Sequence, residues 1–378
     1  MGLYGGGSIH GILMGMKYFS TFSGIGGFEL GIEQAYESNN EHAYKCEESE
    51  QEERAQRGFG STDFNGIQLH TGDRTAPLCV GYSEIDKYAV KIYQHHFPTH
   101  HNYGDITKIN EKELPDFNLL VGGFPCQSFS IAGKRGGFED TRGTMFFELA
   151  RIIREKQPRL LLLENVKGLL SHDKGKTFYT IISTLDELGY DCQWQVLNSK
   201  NHGVPQNRER VFIIGHLRGT PRPQVFPFGE SSTVDNGKDA QGDGNSVAYC
   251  LQAGNDKHRG TYINQLNQPT HSNDRVYGAD GISPTLNTMQ GGNRQPFIQN
   301  PKMMNYKKDY ENSVAITATA YKEPPVVNAI RRLTPTECER LQGFFDGWTE
   351  GVSDTQRYKT IGNAVTVNVI RDIFERLL

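Results

Sequence analysis

Short apolar runs alternate with helix-like segments along the first half of the chain, and that alternation limits the folds open to it. KYFSTF (17–22), LCVGYSE (78–84), NLLVGG (118–123), RLLLLEN (159–165), a segment around 191–197 and RVFIIGHL (210–217) read as strands. Between them, GGFELGIEQAY carries apolar residues at Phe28, Ile32 and Ala35, a helical spacing. DKYAVKIYQHHF, MFFELARIIREKQP (stopped by Pro158) and residues 177–189 have the same texture. Strand and helix taken in turn predict an α/β fold, a sheet with helices on both faces.

Composition changes after Leu217. Residues 218–328 are rich in Gly, Asn, Gln, Pro, Ser and Thr without a sustained helical period, which predicts a smaller domain of short strands and loops. CLQAGNDKHRGTYI (250–263) and TLNTMQGGNRQPFI (285–298) form a weak internal echo within it. Helical texture resumes near Ile330, where Thr334-Pro335 makes an N-terminal cap signal and GNAVTVNVIRDIFERLL closes the chain. The expected organisation is a Gly-rich leader at 1–16, an α/β domain at 17–217, a second domain at 218–328, and a segment at 329–378 that returns to the first domain. Within the first domain, 34–77 reads as a polar, acidic surface insertion.

The leader lacks the basic and apolar regions of a signal peptide, and Met16 is a second possible start. No apolar run of about 18 residues occurs, so no membrane span is expected. The six cysteines are scattered without CxxC pairs. That pattern points to reduced thiols in a cytoplasm, without a disulfide framework or a metal site. Net charge is −4, but residues 33–63 hold nine Asp/Glu against three Lys/Arg, a local −6. The rest of the chain therefore carries +2 (−4 minus −6), and a nucleic-acid partner is compatible with it.

FSGIGG (22–27) places Gly24, Gly26 and Gly27 between a strand and a helix, where a ligand approaches the backbone. A dinucleotide fingerprint would need a glycine at 29; Glu29 stands there and disfavours a nicotinamide oxidoreductase. Glu84, at the end of the second strand, suits a ribose diol, and Asp105 in GDIT suits an adenine amino group. Together they suggest an adenosyl cofactor without phosphates. Cys126 and Glu164 both follow buried strands, so their loops emerge on the same sheet edge as the cofactor loop. A thiolate beside a carboxylic acid is a pair suited to attack on an electron-poor ring, sulfur adding at carbon while the acid meets a ring nitrogen.

FSGIGG, GFPCQSFSIAGKRGGF, ENV, PQNRERVF, RRLTPTECERLQGF and IGNAV occur in that order, and the set resembles the cytosine-5 DNA methyltransferases of bacterial and phage modification systems. The resemblance covers 17–37, 78–217, 283–298 and 329–378. It implies a Rossmann-like S-adenosylmethionine-dependent sheet with a smaller, mostly β/loop recognition domain. It also implies methyl transfer to carbon 5 of cytosine in duplex DNA by base flipping and a covalent Cys126 adduct. Glu164 then contacts ring nitrogen 3 and the exocyclic amine, Arg208 and Arg210 hold the base and loop, and Asn165 orients the Pro125-Cys126 turn. Phe22, Ile85, Ile106, Pro125, Asn363 and Ala364 join Gly24, Gly26, Gly27, Glu84 and Asp105 around the cofactor.

Gln127, Ser130 and Thr285 are implied on the nucleic acid, with Arg275 a candidate for reading a guanine edge. Glycines 122–123, 133 and 136–137 look like hinges of a closing loop, and Pro125 like the rigid element presenting the thiol. The implied setting is a cytoplasmic monomer, without metal, beside a restriction endonuclease of the same specificity or in a phage. Departures are the insertion, the leader and Asn118, where the family often has aspartate. A tRNA cytosine-5 methyltransferase and a non-catalytic DNA-binding protein on the same scaffold are the alternatives. Intact Cys126, Glu164, Arg208 and Arg210 speak against the second.

Overall fold

A computed structural model describes residues 15–40, 76–125, 145–228, 276–277, 283–286, 297–299 and 330–377. The sequence expectations for Cys126, Gln127, Ser130, Arg275, glycines 133 and 136–137, most of the leader, the insertion and the recognition domain lie outside them.

The elements of the first half follow one another as β1 (Lys17–Thr21), α1 (27–40), β2 (Leu78–Ser83), α2 (Lys87–His96), β3 (Leu119–Gly123), α3 (Met145–Lys156), β4 (Leu160–Val166), α4 (Lys176–Glu187) and β5 (Tyr190–Asn198). The two-residue β6 (Gln206–Asn207) and β7 (Glu209–Leu217) come next. Each expected strand is present within a residue or two. Helix α1 covers the expected GGFELGIEQAY from Gly27 onward and runs on through residues 37–40, into the segment read as the insertion.

Six strands form one sheet in the order β2-β1-β3-β4-β7-β5. The first four are parallel, and β7 runs antiparallel to β4. Side-chain alternation explains why these runs are apolar throughout: both faces are buried. Leu160 and Leu162 of β4 join Phe28 and Ile32 of α1 in one core, together with Ile370, Ile373 and Phe374 of the C-terminal helix. Leu161 and Leu163 point the other way, into a second core with Leu149, Ile152 and Ile153 of α3 and Ile181 and Leu185 of α4.

The described residues group into two compact units, one bounded by Met1–Leu197, Glu209–Ser231 and Val365–Leu378, the other by Asn198–Arg208 and Ser232–Ala364. The first contains the six-stranded sheet. In the second, β6 pairs in parallel with β9 (Ser283–Pro284), after β8 (Val276–Tyr277). Strand β10 (Phe297–Gln299) lies between β8 and β11 (Ile330–Arg332). Helix α5 (Pro335–Leu341) begins at the expected cap, where Thr334 Oγ1 accepts from Glu337 N at 3.2 Å and Glu337 Oε2 accepts from Thr334 N at 2.8 Å. The closing segment is two helices, α6 (Asp354–Asn363) and α7 (Val367–Glu375). The GNAV motif spans the break, since Ala364 is extended (φ −66°, ψ 151°).

Two fully buried glutamates are treated differently. Glu339 accepts from Gly347 N (2.8 Å), Thr349 N (2.9 Å) and Arg357 Nη2 (3.0 Å). Glu29, on the inner face of α1, accepts the Tyr93 hydroxyl on Oε1 at 3.0 Å, while Oε2 has no hydrogen-bond partner among the described residues. Burial of that carboxyl pushes it up to about 7 from an ordinary 4.5. The unfolded chain therefore ionises first, and this residue's contribution to stability falls as pH rises from 4.5 to about 7, then levels off. Glu29→Gln is expected to match the wild type near pH 4 and to exceed it by up to the order of 3 kcal/mol above pH 7. Denaturant unfolding across that range measures the difference, and a gap independent of pH would refute a buried acid.

Candidate active site

Because β1 to β4 are parallel, their C-terminal ends share one edge of the sheet, and the sequence-expected residues of the first unit collect there. Leaving β1, Phe22 takes φ 51°, followed by Gly24 at 56° and Gly26 at 89°. A side chain at Gly26 would place its Cβ 2.5 Å from the Phe97 ring, so the turn is closed to other residues on steric grounds as well as by φ. At Gly24 a Cβ would meet nothing within 4 Å among the described residues, which leave the loop backbone open on that side.

Glu84 binds this loop to the end of β2. Its Oε2 accepts from Gly24 N at 2.9 Å, and Oε1 accepts from Ile85 N and Asp86 N at 2.8 Å each. Carboxylate oxygens have further lone pairs, so these bonds leave acceptor capacity for a diol. Ile85 beside it is 74% exposed, an apolar surface adjacent to a carboxylate. Ser23 Oγ is buried in the same loop without a hydrogen-bond partner among the described residues. A polar–apolar pairing of this kind, next to an open glycine and without the third glycine of a pyrophosphate site, fits an adenosyl group.

Asn102 was not anticipated from sequence. It pairs with Tyr82 by a parallel bridge, its Nδ2 donates to Glu84 O at 3.1 Å, and its Oδ1 accepts from Gly104 N at 2.9 Å. It thereby braces Glu84 and the turn leading to Asp105. The Asp105 carboxylate is held below its ordinary range by hydrogen bonds from Thr107, whose Oγ1 and N donate to Oδ1 at 2.8 and 3.0 Å. Ile106 packs into the core and is only 3% exposed.

At the end of β4, Glu164 forms an ion pair with Arg210 (Nε–Oε1 2.9 Å), both side chains largely buried. Gly123 of β3 is the register partner of Glu164, and a Cβ there would lie 2.9 Å from Glu164 Oε2. Gly122 faces Thr21 just as closely, with a would-be Cβ 2.8 Å from the Thr21 carbonyl oxygen. These two glycines therefore belong to the sheet, where neighbouring strands leave no room for a side chain; they are not hinges. Asn165, 2% exposed, donates from Nδ2 to Phe124 O at 2.8 Å and holds the chain as it enters exposed Pro125.

Within the second unit, Arg208 is 3% exposed. Its guanidinium donates to the carbonyls of Leu286 (3.1 Å), Gly362 (3.2 Å) and Ala364 (2.9 Å). Asn363 is exposed, while Ala364 is buried. Thr285 is exposed, and its Oγ1 donates to Asn207 O at 2.6 Å. Among the described residues, no cluster of three or more potential metal ligands occurs.

The family model for C-5 cytosine-specific DNA methylases matches residues 63–378. The chain is 40% identical over 305 residues to the type II methyltransferase M1.ScrFI of Lactococcus lactis subsp. cremoris, covering 78% of this chain and 71% of that protein. It is 39% identical over 337 residues to the type II methyltransferase M.SsoII of Shigella sonnei, covering 83% and 78%. Among solved structures, the S. pombe Dnmt2 methyltransferase shares the fold with a TM-score of 0.62 at 20% identity, over 96% of this chain and 98% of that one. The chain belongs to the C-5 cytosine-specific DNA methylase family and is a DNA (cytosine-5-)-methyltransferase.

Proposed function

We propose that the protein methylates cytosine at carbon 5 within a particular sequence of duplex DNA, after turning the base out of the helix and binding it covalently through Cys126. The observation that carries this reading is the Glu164–Arg210 pair at the sheet edge, beside the strand that leads into Pro125-Cys126. A stacked, paired cytosine offers neither face to a nucleophile, so the base must leave the duplex first. The Cys126 thiolate then adds to carbon 6, and electron density moves to carbon 5. Glu164, carrying a proton, gives it or hydrogen-bonds it to ring nitrogen 3 while its other oxygen accepts from the exocyclic amine, so that negative charge does not accumulate on the ring.

S-adenosylmethionine, when bound, supplies the electrophilic methyl group for carbon 5. Phe22, Gly24, Glu84, Ile85 and Asp105 hold its adenosyl part in this reading. Loss of the carbon-5 proton and expulsion of the Cys126 thiolate restore the aromatic ring. Arg210 keeps the Glu164 carboxylate in one orientation throughout, a preorganisation that costs nothing at the moment of reaction. Residues 218–328, with Arg275 and Thr285, read the duplex, while Gln127 and Ser130 contact it from the Cys126 loop. A monomer suffices for each of these roles, and a restriction endonuclease of the same specificity is the partner whose cleavage the methyl group would block.

Duplex DNA carrying 5-fluorocytosine tests the covalent step, because fluorine cannot leave as a proton does. The wild type is expected to form a complex that survives denaturing electrophoresis, and Cys126→Ser to form none. A wild type that does not trap would overturn the mechanism, and methylation of tRNA but not duplex DNA would overturn the substrate. Gly123→Ala is expected to lower kcat at least about tenfold, because the new methyl displaces the Glu164 carboxylate by a fraction of an ångström. KM values and the unfolding midpoint should move little. Gly122→Ala, pressed against the Thr21 backbone, should instead cost about 1–3 kcal/mol of stability. Steady-state kinetics and denaturant melts separate the two, and an unchanged kcat in Gly123→Ala would remove Glu164 from the rate-limiting chemistry.

A further inference from the structure

The recognition segment around Thr285 is held to its own unit by very little backbone pairing. Strand β6 offers two residues, matched as Gln206 with Ser283 and Asn207 with Pro284, plus one flanking bond from Ser283 N to Pro205 O at 2.8 Å. So short a ladder is marginal for a segment that returns only after the whole 209–282 stretch.

Side chains make up the difference. Gln206 has no solvent exposure, and its primary amide is used at both ends. Oε1 accepts from Leu286 N at 3.1 Å, while Nε2 donates to Leu341 O at 2.7 Å and Gln342 Oε1 at 3.3 Å. Two residues on, Arg208 Nη1 takes the Leu286 carbonyl at 3.1 Å. Leu286 thus has its N–H and its C=O held by two side chains of one short stretch, and its own side chain is buried at 1% exposure. Thr285, immediately before it, is turned outward.

The two clamps are not equivalent. The Ala364 carbonyl is reached by Arg208 Nη2 (2.9 Å) and by Gln342 Nε2 (3.4 Å), so the turn at Asn363-Ala364 keeps its donors when Gln206 is altered. Arg208 serves both Leu286 and that turn; Gln206 reaches the Leu286 amide directly.

We propose that Gln206 is a positioning residue for DNA recognition, its amide fixing Leu286 so that Thr285 is presented to the duplex while cofactor binding and chemistry stay independent of it. This rests on the reading of the protein as a duplex-DNA methyltransferase.

Gln206→Met keeps the length and removes every hydrogen bond; Gln206→Glu keeps the acceptor and removes the donor facing two acceptors. Both are expected to raise KM for duplex DNA roughly ten- to hundredfold. KM for S-adenosylmethionine should stay within about threefold, as should the rate at saturating DNA. Arg208→Lys should raise both KM values. A KM for DNA that does not change in the Gln206 variants overturns the proposal, as does a parallel rise in both KM values.

Hydrogen exchange on the wild-type protein without DNA tests the clamp with no substitution. The Leu286 amide should exchange at least about a hundredfold more slowly than an unprotected one, and an unprotected amide refutes the clamp. A wild type that methylates no duplex DNA would overturn the functional reading, whereas the exchange result stands or falls without it.

Discussion

The ion pair between Glu164 and Arg210 depends on a single topological fact, the reversal of β7. Strand β4 delivers Glu164 to the C-terminal edge of the parallel strands. A seventh strand laid parallel to β4 would bring its first residues to the opposite edge. Because β7 is antiparallel, its beginning meets the end of β4: Val166 pairs with Arg210 and Glu164 with Phe212. The guanidinium thus arrives beside the carboxylate from the strand's own start, without a loop to position it. Two charges largely removed from solvent are costly singly and acceptable as a pair, so each residue constrains the other's orientation.

The same edge is narrowed by what is missing. Gly122 and Gly123 carry no side chains because Thr21 and Glu164 occupy the space on either side, so the β3 backbone runs close to both. Asn165 fastens Phe124 from the next strand. At the end of β2, Glu84 gathers three backbone N–H groups and is itself braced by Asn102. Backbone atoms, positioned by a few buried polar side chains, shape both halves of the edge. Such an arrangement is stiff, as preorganised electrostatics requires.

Periodicity was enough to find the sheet and its helices, because two-sided burial makes each central strand a continuous apolar run that sequence can mark clearly. The strand order and the reversal of β7 were out of reach, since hydrophobic pattern carries no direction. Glu84 and Glu164 were legible as acids at strand ends; Asp105, expected at the end of a strand, instead follows a single bridge between Tyr82 and Asn102 and caps the short turn at Ile106–Lys108. Asn102 was not legible, because an asparagine in HHNYGD has the composition of any turn, and only the bridge to Tyr82 shows what it braces. The paired glycines were visible but misread. Glycine marks both a flexible turn and a close approach of strands, and only the register tells which applies.

Arg208 and Arg210 show where motif reading stops. Two residues apart in PQNRERVF, they invite one shared role. In the structure Arg210 spends its Nε on a carboxylate, whereas Arg208 spends its terminal nitrogens on three main-chain carbonyls. A guanidinium has five donors in a rigid fork, and the chemistry open to it is set by what the fork meets. Met with carboxylate, it fixes the orientation of that acid. Met with carbonyls, it joins segments that are distant in the chain, here Leu286 and the Gly362–Ala364 turn. Gln206, in phase with Arg208 and with an amide that offers both donor and acceptor, completes the second task at the Leu286 amide. One octapeptide therefore contains a charge partner for Glu164 and a clamp for the segment at Leu286, and the division follows from the partners each side chain meets.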